Sequence, residues 1–141
     1  MSKTSTLPFH SEQQCHGWLD QLAENDFVSV DNFIPDELYQ NIQQYFQSLI
    51  HEQEFAKAAI GSSEKRQVES SIRGDFIYWL DQQKDREVGA LFALFDEVMQ
   101  NLRQYLFISL SDYEFHFALY PPKTRYEKHL DQFHGKNNRV I

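Results

Sequence analysis

Between Leu106 and Tyr113 the apolar residues of this chain change their spacing, and no other feature constrains the fold as much. Before that point hydrophobic side chains recur every three or four positions; after it they alternate. Cys15, Trp18, Leu19 and Leu22 make one helical stripe, opened by Ser11 and Gln14 in capping-box order and stopped at Asn25. Leu38, Ile42, Tyr45, Phe46, Leu49 and Ile50 make a second, next to Pro35, which a first helical turn tolerates. Val88, Leu91, Phe92, Phe95, Met99, Leu102 and Leu106 make a third, on a helix predicted from about 85 to 106. All three stripes are packing faces. From Tyr113 onward, Phe115, Phe117 and Leu119 alternate with Glu114, His116, Ala118 and Tyr120, as on a half-buried strand that Pro121-Pro122 ends. Shorter extended pieces are predicted at 26–31, through Val28 and Val30, and at 68–72 and 76–80, with a polar loop at 61–66. Residues 126–131 restart an extended segment, 135–138 are turn-like, and 139–141 look like the start of one more strand. Helices first and strands last predict a single α+β domain over 1–141. It divides into an N-terminal helix over 1–25, helical support with early strands over 26–110, and the start of a β core over 111–141.

A chain of 141 residues is one domain by size, and its 12 Phe, 7 Tyr and 2 Trp supply large core side chains. Its 13 basic against 21 acidic residues give a net charge of −8, which argues against a nucleic-acid surface, since that needs clustered Lys and Arg. Cys15 is the one cysteine, so no intramolecular disulfide forms, and a reducing cytoplasm is the simplest location. The first residues lack a signal-peptide apolar stretch, and no run approaches the roughly 18 apolar residues of a membrane span. The expectation is a soluble, cytoplasmic protein with neither a membrane nor a nucleic-acid partner.

The chemistry concentrates in Tyr126-Glu127-Lys128-His129-Leu130-Asp131. On an extended segment the side chains of His129 and Asp131 fall on the same side. One imidazole nitrogen and one carboxylate oxygen are two of the three donors of a 2-His-1-carboxylate Fe(II) site. Tyr126 has the opposite parity, so it faces a substrate entrance or the core unless a bulge intervenes. His134, three positions after Asp131 and beside a glycine turn, is predicted to be a solvated loop residue. His116 is predicted to be a hydrogen-bonded strand histidine. His10, His16 and His51, without a carboxylate at ligand spacing, are predicted at the surface. Arg73-Gly74-Asp75 has the look of a tight turn at its glycine. Tyr120, by its position alone, is a half-buried tyrosine at a strand end.

Three ordered stretches carry a resemblance. Tyr120-Pro121-Pro122 followed by Tyr126 to Asp131 resembles the Tyr-Pro/Gly-turn-Tyr-x-x-His-x-Asp segment of prolyl 4-hydroxylase-type, 2-oxoglutarate-dependent Fe(II) oxygenases. Ile72-Arg73-Gly74-Asp75-Phe76-Ile77-Tyr78-Trp79-Leu80 resembles the Arg-Gly-Asp-x-Ile-x-Trp segment of the hypoxia-sensing prolyl hydroxylases and their bacterial relatives, and residues 26–33 fit the strand that opens such domains. The resemblance implies a double-stranded β-helix, or jelly roll, with helices on one side. Its cofactors would be Fe(II) and 2-oxoglutarate, with ascorbate as a supporting reductant. His129 and Asp131 would bind the metal, and Tyr120 would donate its hydroxyl to 2-oxoglutarate. Arg73, Asp75 and Tyr126 would meet a protein or peptide substrate presenting a prolyl target, with Trp79 packed beneath the groove.

Complete members of this family carry a further histidine ligand and a basic residue that pairs with the far carboxylate of 2-oxoglutarate. Neither has a matching segment in the ten residues after Asp131, so the expectation is an oxygenase domain truncated after the His-x-Asp motif. Its open sheet edges would favour self-association. The competing expectation is a non-catalytic interaction module, or a remnant that pairs strands with a partner chain.

Overall fold

The computed structural model describes residues 9–55 and 75–125. The loop predicted at 61–66, the extended pieces at 68–72, 126–131 and 139–141, and the turn at 135–138 lie outside the described residues. In order, the described residues form α1 (Glu12–Asn25), α2 (Asp36–His51), β1 (Phe76–Trp79), a 3-10 turn (Arg86–Val88), α3 (Gly89–Leu106) and β2 (His116–Leu119). Contacts group the chain into two compact units, 1–43 with 85–111 and 44–84 with 112–141.

In the first unit, α1 opens on the predicted capping box. The Ser11 hydroxyl accepts from the Gln14 N–H at 3.2 Å, and the Gln14 side-chain oxygen accepts from the Ser11 N–H at 2.8 Å. Two donors that the helix cannot satisfy internally are thereby paired. The helix stops where Asp26 turns left-handed at φ 64° and its N–H reaches the Leu22 carbonyl. Cys15, Trp18 and Leu19 are buried with Leu102 of α3, and Leu22, Val28, Phe33 and Val98 pack around them.

The carboxylate of Glu97, on α3, accepts from the Phe9 and His10 N–H groups at 2.9 and 3.3 Å. The His10 ring stacks on Phe33 at 4.4 Å, and its Nε2–H donates to the Phe33 carbonyl at 2.9 Å. The surface position predicted for His10 is therefore corrected: its side chain is only 12% exposed. His16 and His51 are exposed as predicted.

Residues 27–30 do not form the predicted strand. Val28 packs inward, but Val30, which an alternating strand would put on the same face, is exposed like Phe27, and no ladder partner lies beside them among the described residues. A strand exists only as part of a sheet that pairs its backbone groups. The third helix is prefaced by the 3-10 turn, in which the Val88 N–H donates to the Asp85 carbonyl at 3.2 Å. Leu94, absent from the predicted stripe, is completely buried, so the apolar face of α3 is wider than the stripe suggested.

In the second unit, β1 and β2 pair antiparallel with Phe76 opposite Leu119, Ile77 opposite Ala118, Tyr78 opposite Phe117 and Trp79 opposite His116. One further bond, from the Leu80 N–H to the Phe115 carbonyl at 2.9 Å, extends the pairing. The strand predicted from 113 to 120 thus has regular pairing only over His116–Leu119, because β1 is itself four residues long. Leu49, Phe55 and Tyr78 are buried here, with Tyr45, Phe46, Phe76, Phe117 and Leu119 packed against them. Phe46 meets Phe117 and Phe55 edge to face at 5.2 and 5.4 Å, the geometry that ring quadrupoles favour.

Burial raises the Cys15 thiol pKa, and the nearby Glu97 carboxylate raises it further; the neighbouring Trp18 indole and the Asn101 amide, which donates to the sulfur, partly oppose them. The folded protein therefore holds this proton more tightly than the unfolded chain does. Stability from this source is complete below the unfolded thiol's pKa of about 9 and falls as pH rises beyond it. Thiol labelling at pH 8 is expected to be slow in the native protein and fast in denaturant. Leu94→Ala should cost about 2–5 kcal/mol in urea unfolding, and Ser11→Ala about 1 kcal/mol.

Candidate functional site

Alternation across the β1–β2 ribbon separates its two faces. Phe76, Tyr78, Phe117 and Leu119 turn toward the aromatic cluster, so the pairs Ile77–Ala118 and Trp79–His116 have the opposite parity. Asp75 immediately precedes β1 and Tyr120 immediately follows β2, so both flank the terminal pair Phe76–Leu119. Two of the residues that the sequence singles out, distant along the chain, thereby come to one end of the ribbon. Tyr120 is 50% exposed, and Asp75 is partly buried.

The chain leaves Tyr120 through a closed turn. Thr124 caps it, its N–H and hydroxyl donating to the Pro121 carbonyl at 3.2 and 2.8 Å, while Lys123 adopts φ 66°. Proline at two successive positions removes the N–H groups that would continue the ladder.

Trp79 corrects an expectation. It does not pack beneath a groove; Tyr78 takes the buried position at 5% exposure, and Trp79 is left half exposed on the other face. Its ring meets that of His116, its cross-strand partner, at 4.9 Å and 63°. The sequence carried the signal for this pairing in strict alternation from Asp75 and Tyr120, but the register was needed to join the two strands. His129, Asp131, Arg73, Tyr126 and His134 lie outside the described residues. Among the described residues no three His, Cys, Asp or Glu side chains gather where they could hold a metal ion. Likewise, no helix among them is long and apolar enough to cross a membrane.

A cavity of about 320 Å³ in the first unit was not foreseen. Its walls include His10, Gln14, Gly17, Trp18, Asp31 and Phe33. Gly17 was its only sequence hint: a glycine inside a helix costs stability, and here a Cβ would meet nothing within 4 Å.

No family model matches the chain, and no curated protein matches it. Among solved structures it is similar to a crystal structure of a Pseudomonas putida prolyl-4-hydroxylase, with a TM-score of 0.60 and 28% identity over 89% of this chain. The chain spans 62% of that structure's length. The fold is thus prolyl-4-hydroxylase-like, an α+β arrangement of helices with a short antiparallel sheet.

The two ribbon faces should respond differently to substitution. Tyr78→Ala removes a buried ring and should cost about 3–5 kcal/mol, whereas Tyr120→Phe, at an exposed strand end, should stay within about 0.5 kcal/mol. Chemical denaturation of the two variants checks this.

Proposed function

We propose that this chain is part of a 2-oxoglutarate- and Fe(II)-dependent dioxygenase that hydroxylates a prolyl residue of a protein, acting in the cytoplasm. The observation that carries the proposal is that Asp75 and Tyr120 flank the same end of the β1–β2 ribbon, in a chain with a prolyl-4-hydroxylase-like fold. The ribbon would be the described edge of a double-stranded β-helix.

The donor types fit the metal. An imidazole and a carboxylate two positions apart suit Fe(II), with coordination positions left for cosubstrates. His129 and Asp131 would hold it. When bound, Fe(II) supplies the oxidising chemistry that splits 2-oxoglutarate into succinate and CO2 and places one oxygen atom of O2 on the substrate carbon.

The remaining work belongs to side chains. The Tyr120 hydroxyl would donate to a 2-oxoglutarate carboxylate, a charge-assisted bond that fixes the cosubstrate's orientation. Arg73 and Asp75 would orient the peptide by hydrogen bonds and charge, and Tyr126 would line its entrance. None of these side chains needs to change protonation state to do so.

The test is succinate release and a 16 Da gain on proline (one oxygen atom) when the complete oxygenase that contains this chain meets Fe(II), ascorbate, 2-oxoglutarate and a prolyl-peptide library. Tyr120→Phe should raise the KM for 2-oxoglutarate by roughly 10-fold, the worth of one hydrogen bond to a charged group. His129→Ala and Asp131→Ala should each abolish iron binding measured by metal analysis. Unchanged iron content in both folded variants would refute the assignment of ligands.

A further inference from the structure

We infer that Trp79 is a platform for a prolyl ring of the substrate peptide and that His116 is the residue positioning it. The inference rests on the oxygenase reading above and adds to it the residues that grip the peptide.

Tryptophan carries more apolar area than any other side chain and is usually well buried. At this point of β1 the buried position goes to Tyr78, and the indole of Trp79 is 50% exposed. It is nonetheless held. His116 lies directly across the ladder, and the two rings meet at 4.9 Å and 63°. An edge contact of this kind steadies the indole while leaving much of its surface open.

The rest of that face supports the same use. Between Trp79 and the Asp75–Tyr120 end lies one cross-strand pair, Ile77 and Ala118, both apolar and one of them small. The face therefore runs as an apolar strip from a large aromatic ring toward the end of the ribbon that Asp75 and Tyr120 flank. A peptide running along the ribbon toward Tyr120 passes over the indole.

Proline suits such a surface. Its ring C–H groups are polarised by the adjacent amide nitrogen and lie favourably on an electron-rich aromatic face. An extended proline-containing chain also loses little conformational freedom on docking, which is why aromatic-lined grooves recur in proline recognition.

The chain's two tryptophans make the test direct: Trp18 is buried at 8% exposure, so acrylamide quenching of the emission reports chiefly on Trp79. Hexaproline is the probe and hexaalanine its control. Hexaproline should protect the wild-type protein from quenching in a saturable way, hexaalanine should not, and Trp79→Phe should abolish the signal. His116→Ala should increase quenching of the free protein and weaken apparent hexaproline affinity at least threefold. His116→Phe, which restores an aromatic edge, should recover both.

Equal protection by the two peptides, or an unaltered affinity in His116→Ala, overturns the inference. The succinate assay, run like the quenching on the complete oxygenase that contains this chain, separates the two claims. Protection without any succinate release sinks the oxygenase reading and supports the platform; succinate release without protection sinks the platform alone.

Discussion

Four cross-strand pairs decide what the second unit can be. With Tyr78 opposite Phe117, both rings enter the aromatic cluster, and Trp79 and His116 are consigned to the other face. A slip of one residue would exchange the faces, burying Trp79 and exposing Tyr78. The edge-to-face contacts of Phe46 with Phe117 and Phe55 oppose that slip, because they reward one parity only. Core and candidate site are therefore two consequences of one register.

The first unit is organised around a carboxylate instead. Glu97 satisfies two backbone N–H groups at the entrance to α1, and His10 bridges from there to the Phe33 carbonyl. Hydrogen bonds to a charged acceptor are stronger than neutral ones, so a single side chain fixes how the chain enters its first helix. The same negative charge suppresses ionisation of the Cys15 thiol. That thiol is structural: the Asn101 side chain donates to its sulfur at 3.4 Å, and apolar neighbours cover it.

How much could be read from sequence follows from the range of each interaction. The three helices are legible because spacing and capping signals are local; Ser11 and Gln14 form the capping box their chemistry dictates, and the stop falls one residue after Asn25, at Asp26. The segment at 26–31 forms no strand because the shared parity of Val28 and Val30 is stabilising only beside a partner strand, and none lies there among the described residues. Leu94 escaped notice because a narrow stripe was assumed, and His10 because its partners, Glu97 and Phe33, are remote in sequence. At the site, Asp75 and Tyr120 were singled out by motif resemblance, while the Trp79–His116 pair needed the register. The likeness to a prolyl-4-hydroxylase structure accords with those motifs at the level of fold.

The end of α3 carries a different lesson. Phe107 closes that helix in the left-handed region at φ 54° while its ring is 88% exposed. A bulky residue there gives up roughly 1–2 kcal/mol that glycine would not, and it leaves an oily group in water. Glycine at this position would close the helix without the strain and without the exposed ring, so the end of α3 is a place where stability can be gained.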